Sequence, residues 1–104
     1  MTEGRRRRLP NRRSSETFEI ESQGLQFTVS ASRFPDGTLA EIFLTNHKAG
    51  SMAGINAADA AVICSIALQH GVPLDIIRRA LMRDSKSTAL GPLGTALDKL
   101  GAAP

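Results

Sequence analysis

The stretch "FLTNHKAGSMAGIN", Phe43 to Asn56, decides the fold. An alternating apolar run ends at Thr45 and an Ala-rich run of helical character begins near Asn56. Between them lie Asn46, His47, Lys48, Gly50, Ser51 and Gly54 in one short connection. A change of apolar period from two to 3.6 marks a strand giving way to a helix. The strands should therefore precede this junction and the helices follow it.

Upstream, the period of two begins at Glu16. In "ETFEIES" Phe18 and Ile20 face one way, and Thr17, Glu19 and Glu21 the other, as a half-buried strand requires. "SQG" marks a turn, and "LQFTVSASRF" repeats the alternation with Leu25, Phe27, Val29 and Ala31. "FPDGT" is a second turn, with Pro35 presetting φ and Gly37 accepting a left-handed conformation. In the third strand, "LAEIFLT", Ala40, Ile42 and Leu44 share one face. Phe43 on the opposite face predicts that this strand is central, or partly covered on both sides.

Downstream, "INAADAAVICSIALQHG" reads as a helix, with Asn56 or Ser51 as its cap and Gly71 as its stop. Ala57, Ala60, Ala61, Cys64, Ala67 and Leu68 form a stripe that Val62, Ile63 and Ile66 widen. A helix apolar over most of its circumference should be buried on several sides. "VPLDIIRRALMRD" is a second helix with Pro73 in its first turn and Arg78, Arg79 and Arg83 facing out. "SKSTALGPLG" is a loop, and "GTALDKL" a short last helix or turn. The predicted class is α+β: a three-stranded antiparallel meander followed by two or three helices packed on one sheet face. The expected organisation is a disordered basic arm over residues 1–15, a single domain over 16–100 and a frayed end at 101–104.

At 104 residues the chain is one small domain at most, with 41% apolar residues, no Trp, no Tyr and four Phe. No apolar run reaches the roughly 20 residues of a membrane span, and no membrane partner is expected. No apolar segment follows the first arginines, so no secretory signal is expected either. The lone Cys64 excludes an internal disulfide and a zinc site built on paired cysteines. A cytoplasmic, bacterial-type protein is the expectation.

Charge is unevenly spread. Of 13 Lys/Arg and 10 Asp/Glu, six arginines (Arg5, Arg6, Arg7, Arg8, Arg12, Arg13) and Glu3 fall in residues 1–13, leaving seven against nine. A basic arm thus precedes a mildly acidic body. Such an arm attracts polyanions by counterion release, with strong salt dependence and no sequence preference. It holds no aromatic on which a base could stack.

At the junction, Gly50 and Gly54 let backbone amides turn toward one point, Lys48 and Ser51 add donors, and the helix N-terminus adds partial positive charge. That combination suits phosphate or carboxylate. The candidate phosphate-binding residues are Asn46, His47, Lys48, Gly50 and Ser51. The segment matches neither a Walker loop nor G-x-G-x-x-G. A tight strand-to-helix connection needing glycine explains the same residues without a ligand. His47 has no nucleophile paired with it by motif, His70 sits at a helix end, and Cys64 is an inert mid-helix thiol. No catalytic residue, metal or cofactor is therefore expected. The two predicted helices, the second carrying Arg78, Arg79 and Arg83, also fit a helix-turn-helix DNA reader, although any αα-hairpin looks alike.

"GTLAEIFLTNHKAGS", followed by "AADAAVICSIALQHGVPLDIIRRAL", resembles the TSCPD domain, found near the C-terminus of adenosylcobalamin-dependent ribonucleotide reductases and as small stand-alone proteins. The family's strand ending in a "KAGS"-like segment falls on Ile42 to Ser51, and its "SLALxxGVPLExIxxxL" pattern on Ser65 to Leu81. The resemblance covers roughly Phe27 to Leu97. It departs where the family's Thr-Ser-Cys-Pro-Asp should stand. "LGPLGTALDKL" keeps Pro92 there but has no cysteine, so a thiol or metal role of that segment is absent. His47 replaces a glycine often seen before the lysine. The larger enzymes need a set of cysteines in a barrel domain, so the resemblance implies no reductase activity for this chain alone. It implies instead a small binding module, with Lys48, Ala49, Gly50 and Ser51 as the positions carried over.

The leading expectation is a non-enzymatic module that binds the phosphates of a nucleotide or nucleic acid at the strand-helix junction. The alternatives are a protein-interaction or regulatory module docking on a ribonucleotide reductase or other partner, and a DNA-binding regulator. An alanine-rich, aromatic-poor core also makes self-association into a homodimer an expectation.

Overall fold

Three segments that alternate apolar and polar each carry one apolar side, and pairing them antiparallel gathers those sides on one face. The computed structural model describes residues 6–10, 15–48 and 50–101. Its elements are β1 (Ser15–Ser22), β2 (Leu25–Arg33), β3 (Leu39–Asn46), α1 (Met52–Gln69), α2 (Leu74–Ala80) and α3 (Pro92–Gly101). Arg5, Arg12 and Arg13 of the arm, Ala49 of the junction and residues 102–104 lie outside the described residues.

The sheet order is β1-β2-β3, antiparallel throughout, as the meander predicts. Phe18 pairs Val29, Ile20 pairs Phe27 and Ala31 pairs Ile42, so the apolar alternation of each strand lands on the same face. Phe27, Val29 and Ile42 are almost wholly buried there, with Leu97 of α3 closing over them. α1 contributes Ala57, Ala61, Cys64 and Leu68 to the same core, and α3 adds Ala96 and Leu100.

Several expectations change. β3 is an edge strand, not a central one, and Phe43 on the open sheet face is 47% exposed. What covers β3 is α1, which seals its free edge. Ile42 N–H donates to Ser65 Oγ at 2.9 Å, and that hydroxyl lies 2.9 Å from both Ile42 O and Ala61 O, sharing its one proton between them. Gln69 Nε2 donates to Ala40 O at 2.9 Å. An edge strand otherwise presents unpaired N–H and C=O groups to any passing chain.

α1, in turn, is not buried on several sides. It starts at Met52, four residues before Asn56, because Ser51 is its cap. Its buried side is Ala57, Ala61, Cys64, Ser65, Leu68 and Gln69. The diametrically opposite side leaves Met52, Ile55, Val62, Ile63 and Ile66 exposed. By length and composition this 18-residue helix is apolar enough to cross a membrane, contrary to the reading of the sequence. Its Ser65 and Gln69, however, bond the β3 backbone inside the fold.

Before the sheet, residues 6–10 lie against the end of α1. Arg7 N–H donates to Gln69 O at 2.7 Å, and Arg6 Nε donates to Gln69 Oε1. The Arg7 guanidinium stands 3.7 Å over the Phe34 ring and 3.3 Å from Asp36 Oδ2. Asp36, which accepts from the Thr38 hydroxyl and amide and then from Arg7, is held down at about 2.

α2 is also shorter than predicted. Leu81 turns extended, and Arg83 bridges Ala89 across a tight loop. Past this end the chain meets Asp98 on α3, which Arg83 grips in bidentate fashion at 2.7 and 2.8 Å while Arg78 Nε donates to it at 3.0 Å. Planar guanidinium matches carboxylate geometry, and such pairs are the stronger ion pairs. Arg78 and Arg83 therefore do not face out, and a DNA reader would lack two of its three arginines.

Removing the Ser65 hydroxyl leaves buried Ile42 groups unpaired, a cost of about 1–3 kcal/mol. Ser65→Ala should lower the unfolding free energy in urea by that amount, while Ser85→Ala on the exposed loop changes it by less than about 0.5 kcal/mol. Asp98 is held below its ordinary 3.8, chiefly by the Arg83 hydrogen bonds, against burial and with help from Arg78. A depressed carboxyl contributes stability above its unfolded value and loses it as pH falls through the folded one. The urea-midpoint difference between wild type and Asp98→Asn should hold steady near neutral pH and shrink below about pH 4.

Candidate functional site

The junction closes upon itself. Asn46 ends β3, and its side chain donates from Nδ2 to Gln26 O at 3.0 Å. Its Oδ1 accepts from Lys48 N–H at 3.0 Å and from the Ser51 hydroxyl at 3.2 Å. Ser51 Oγ then accepts from Gly54 N–H at 3.0 Å, as an N-cap serine does. Asn, Ser and Gly occur together here because a short turn must satisfy its own amides as it enters a helix. Gly50 takes φ +77°, in the left-handed region. At Gly54 a Cβ would stand 3.0 Å from both Asn46 Cβ and Ser51 Oγ, so the close approach of α1 to β3 needs a residue without a side chain.

Of the five candidate residues, the structure joins Asn46 and Ser51 in one hydrogen-bond chain that also holds the Lys48 backbone. The Lys48 side chain is exposed and forms no ion pair among the described residues. The first turn of α1 holds no acidic residue, so its partial positive charge has no side-chain counterpart there.

His47 points elsewhere. Its Nε2 lies 2.8 Å from Glu19 Oε1 and 3.2 Å from Thr28 Oγ1 on the open sheet face. Thr28 donates its hydroxyl proton to Glu19 Oε2 at 2.7 Å. Nε2 therefore carries a proton toward Glu19, and the imidazole lies away from the Ser51 hydroxyl. The sequence placed His47 beside Lys48; the strand's alternation turned it to the other face.

Cys64 is buried, and burial pushes its thiol up to about 11. Arg6, Arg7 and Arg8 of the arm are all exposed, with Arg6 bonded to Gln69 and Arg7 to Asp36.

Two surfaces escaped the sequence reading. One is a groove of about 510 Å³ between the N-terminal half of α1, the β1–β2 turn and the start of α3, lined by Phe27, Ala57, Ala60, Leu81 and Leu93 among other uncharged residues. The other is the outer stripe of α1. Its signal lay in the composition of α1, whose only charged residue is Asp59. A surface helix ordinarily carries charged residues opposite its apolar face.

The TSCPD domain family model matches residues 2–100. The vitamin B12-dependent ribonucleotide reductase of Rhodopirellula baltica is 34% identical over 95 residues, which is 91% of this chain and 9% of that enzyme. The corresponding enzyme of Agrobacterium fabrum is 36% identical over 70 residues, 67% of this chain and 6% of its own length. That of Streptantibioticus cattleyicolor is 38% identical over 71 residues, 67% of this chain and 12% of its own. The chain thus spans only a small part of these relatives. No solved structure matches it. With the match running from before β1 to Leu100 in α3, the chain belongs to the TSCPD domain family and is related to the small segment of vitamin B12-dependent ribonucleotide reductases that carries this domain.

Proposed function

We propose that this TSCPD chain is a cytoplasmic, non-enzymatic protein-interaction module that engages a protein through the outer face of α1. The observation that carries this reading is the exposed stripe of Met52, Ile55, Val62, Ile63 and Ile66 on a helix with one charged residue. The stripe is of the size of the largest apolar patch an ordinary monomer carries, which is where interaction sites concentrate. The kinship supports the same reading. In the matched reductases this domain is a minor part of a much longer chain.

Reductase chemistry is not assigned to the chain, because its single thiol is buried and held protonated by that burial. The residues do not fit the vitamin B12 on which the relatives depend. His47 is bonded to Glu19 on the open sheet face, His70 stands exposed at the end of α1, and the apolar groove presents neither imidazole.

Lys48 beside the acid-free start of α1 supports a second reading, phosphate binding at the junction. That site is narrower than the sequence suggested. Asn46 and Ser51 hold the turn, His47 has left it, and Lys48 with the loop backbone remains. The exposed arginines of the arm would add salt-sensitive attraction to a nucleotide or nucleic acid.

The face is tested with Ile63→Arg, which replaces an exposed side chain and leaves the fold's circular dichroism unchanged. Association, measured by sedimentation both with a vitamin B12-dependent ribonucleotide reductase and with the chain itself, should persist in 1 M salt for wild type and weaken at least tenfold in the variant. Equal association of variant and wild type would remove α1 as the contact surface. For the second reading, ATP should shift the amide resonances of Lys48 and Gly50 to Ala53 in wild type and not in Lys48→Ala; shifts confined to the arm, and lost with salt, would end it.

A further inference from the structure

The docking reading leaves the partner open between a reductase and another copy of this chain. The pattern of side chains along α1 distinguishes them. Met52, Asn56, Asp59, Ile63, Ile66 and His70 follow one another at the four-three spacing of a coiled-coil seam, with Ile63 and Ile66 as its adjacent apolar pair and Asp59 and His70 as polar positions on either side. Every one of them is exposed, and Ile55 and Val62 flank the seam.

We propose that the outer face of α1 is covered by α1 of a second copy, packed antiparallel about a two-fold axis that passes between Cys64 and Ser65. In that register Ile63 of each chain meets Ile66 of the other, and Asp59 of each meets His70 of the other. Both apolar members of the C-terminal half of the seam find apolar partners, and its one carboxylate finds an imidazole. An imidazole N–H donates to a carboxylate whether or not the ring is charged. A parallel pairing would instead oppose Asp59 to Asp59, two like charges at one seam position.

The register is self-complementary, as a two-fold contact must be. In this register α1 overlaps its copy over residues 60–69, so Val62, Ile63 and Ile66 are covered while Met52 and Ile55 lie beyond the end of the partner helix. The helix pair therefore buries less than the roughly 1,000 Å² of a stable specific interface. A weak dimer that needs high protein concentration is the consequence.

The proposal rests on the docking reading of α1, and the experiment separates the two. Asp59→Cys and His70→Cys are made singly in the full chain; Cys64 is buried and stays unmodified. The two variants, one carrying a mass tag, are mixed at several hundred micromolar and oxidised gently. On one helix positions 59 and 70 are about 16 Å apart, too far for a disulfide. The antiparallel register therefore expects the mixed disulfide in large excess over either homodimer. Homodisulfides in equal or greater amount, or a sedimenting dimer with no cross-link, would overturn the register. A chain that stays monomeric at that concentration would overturn the second-copy partner, even if it partitions onto neutral lipid vesicles. In that case docking through α1 survives if reductase association is lost in Ile63→Arg. If wild type and Ile63→Arg both dimerise and both bind reductase equally, the proposal and the docking reading fail together.

Discussion

The free edge of β3 is the constraint from which the rest of the arrangement follows. A three-stranded meander has two edges and too little surface to hide either. Here Ser65 and Gln69 supply the groups that a fourth strand would have supplied, bonding Ile42 N–H and Ala40 O from the side of a helix. Those bonds fix both the position and the rotation of α1. With Ser65 turned to the strand, Ala61 and Cys64 fall on the core, and their small size lets the helix lie close to the sheet. The same rotation sends Ile63 and Ile66 outward, 67% and 37% exposed. The exposed stripe is thus a consequence of sealing the edge. The segment before the sheet is drawn into the same network, since Arg6 and Arg7 bond the Gln69 that serves Ala40.

A second clamp works at the other end. Asp98 draws Arg78 and Arg83 inward where α2 ends after seven residues and the following loop folds back toward α3. One carboxylate thus joins α2, the loop after it and α3, whose Ile77, Leu81 and Leu93 pack against the same core. Arginines that looked like a surface reader in the sequence are scaffold. The same change of role affects the junction. Asn46 and Ser51 carry polar groups suited to a ligand, and the fold directs those groups at the turn's own amides.

For the TSCPD family this separates two questions that the motif alone merges. The "KAGS" segment is first a device for passing from an edge strand into a helix within five residues. Its Asn46 and Ser51 side chains are used by the turn itself, and the Lys48 side chain remains exposed beside it. The larger exposed feature is apolar and lies on the opposite side of α1 from the core. In the reductases that this protein matches, the related segment is a minor part of the chain.

How much was legible beforehand follows from the range of the interactions involved. The strands, their meander order, Ser51 as a cap candidate and the core residues Phe27, Val29, Ile42 and Leu68 came from alternation, turn chemistry and helical spacing. All of these are local, and a sequence records local preferences directly. The family resemblance on "KAGS" and "GVPLDII" was equally legible. Three things were not. Phe43 on a second face looked like a sign of a central strand, because nothing local distinguishes an edge sealed by a helix from one sealed by a strand. The all-apolar α1 looked buried all round, because composition does not say how many neighbours a helix has. His47 looked like a neighbour of Ser51, although the pleat sends it to Glu19 on the other sheet face. The sequence by itself determined the elements, their order and their family. Only the tertiary structure decided which faces remain open, because an exposed face is defined by long-range packing that no short window of residues contains.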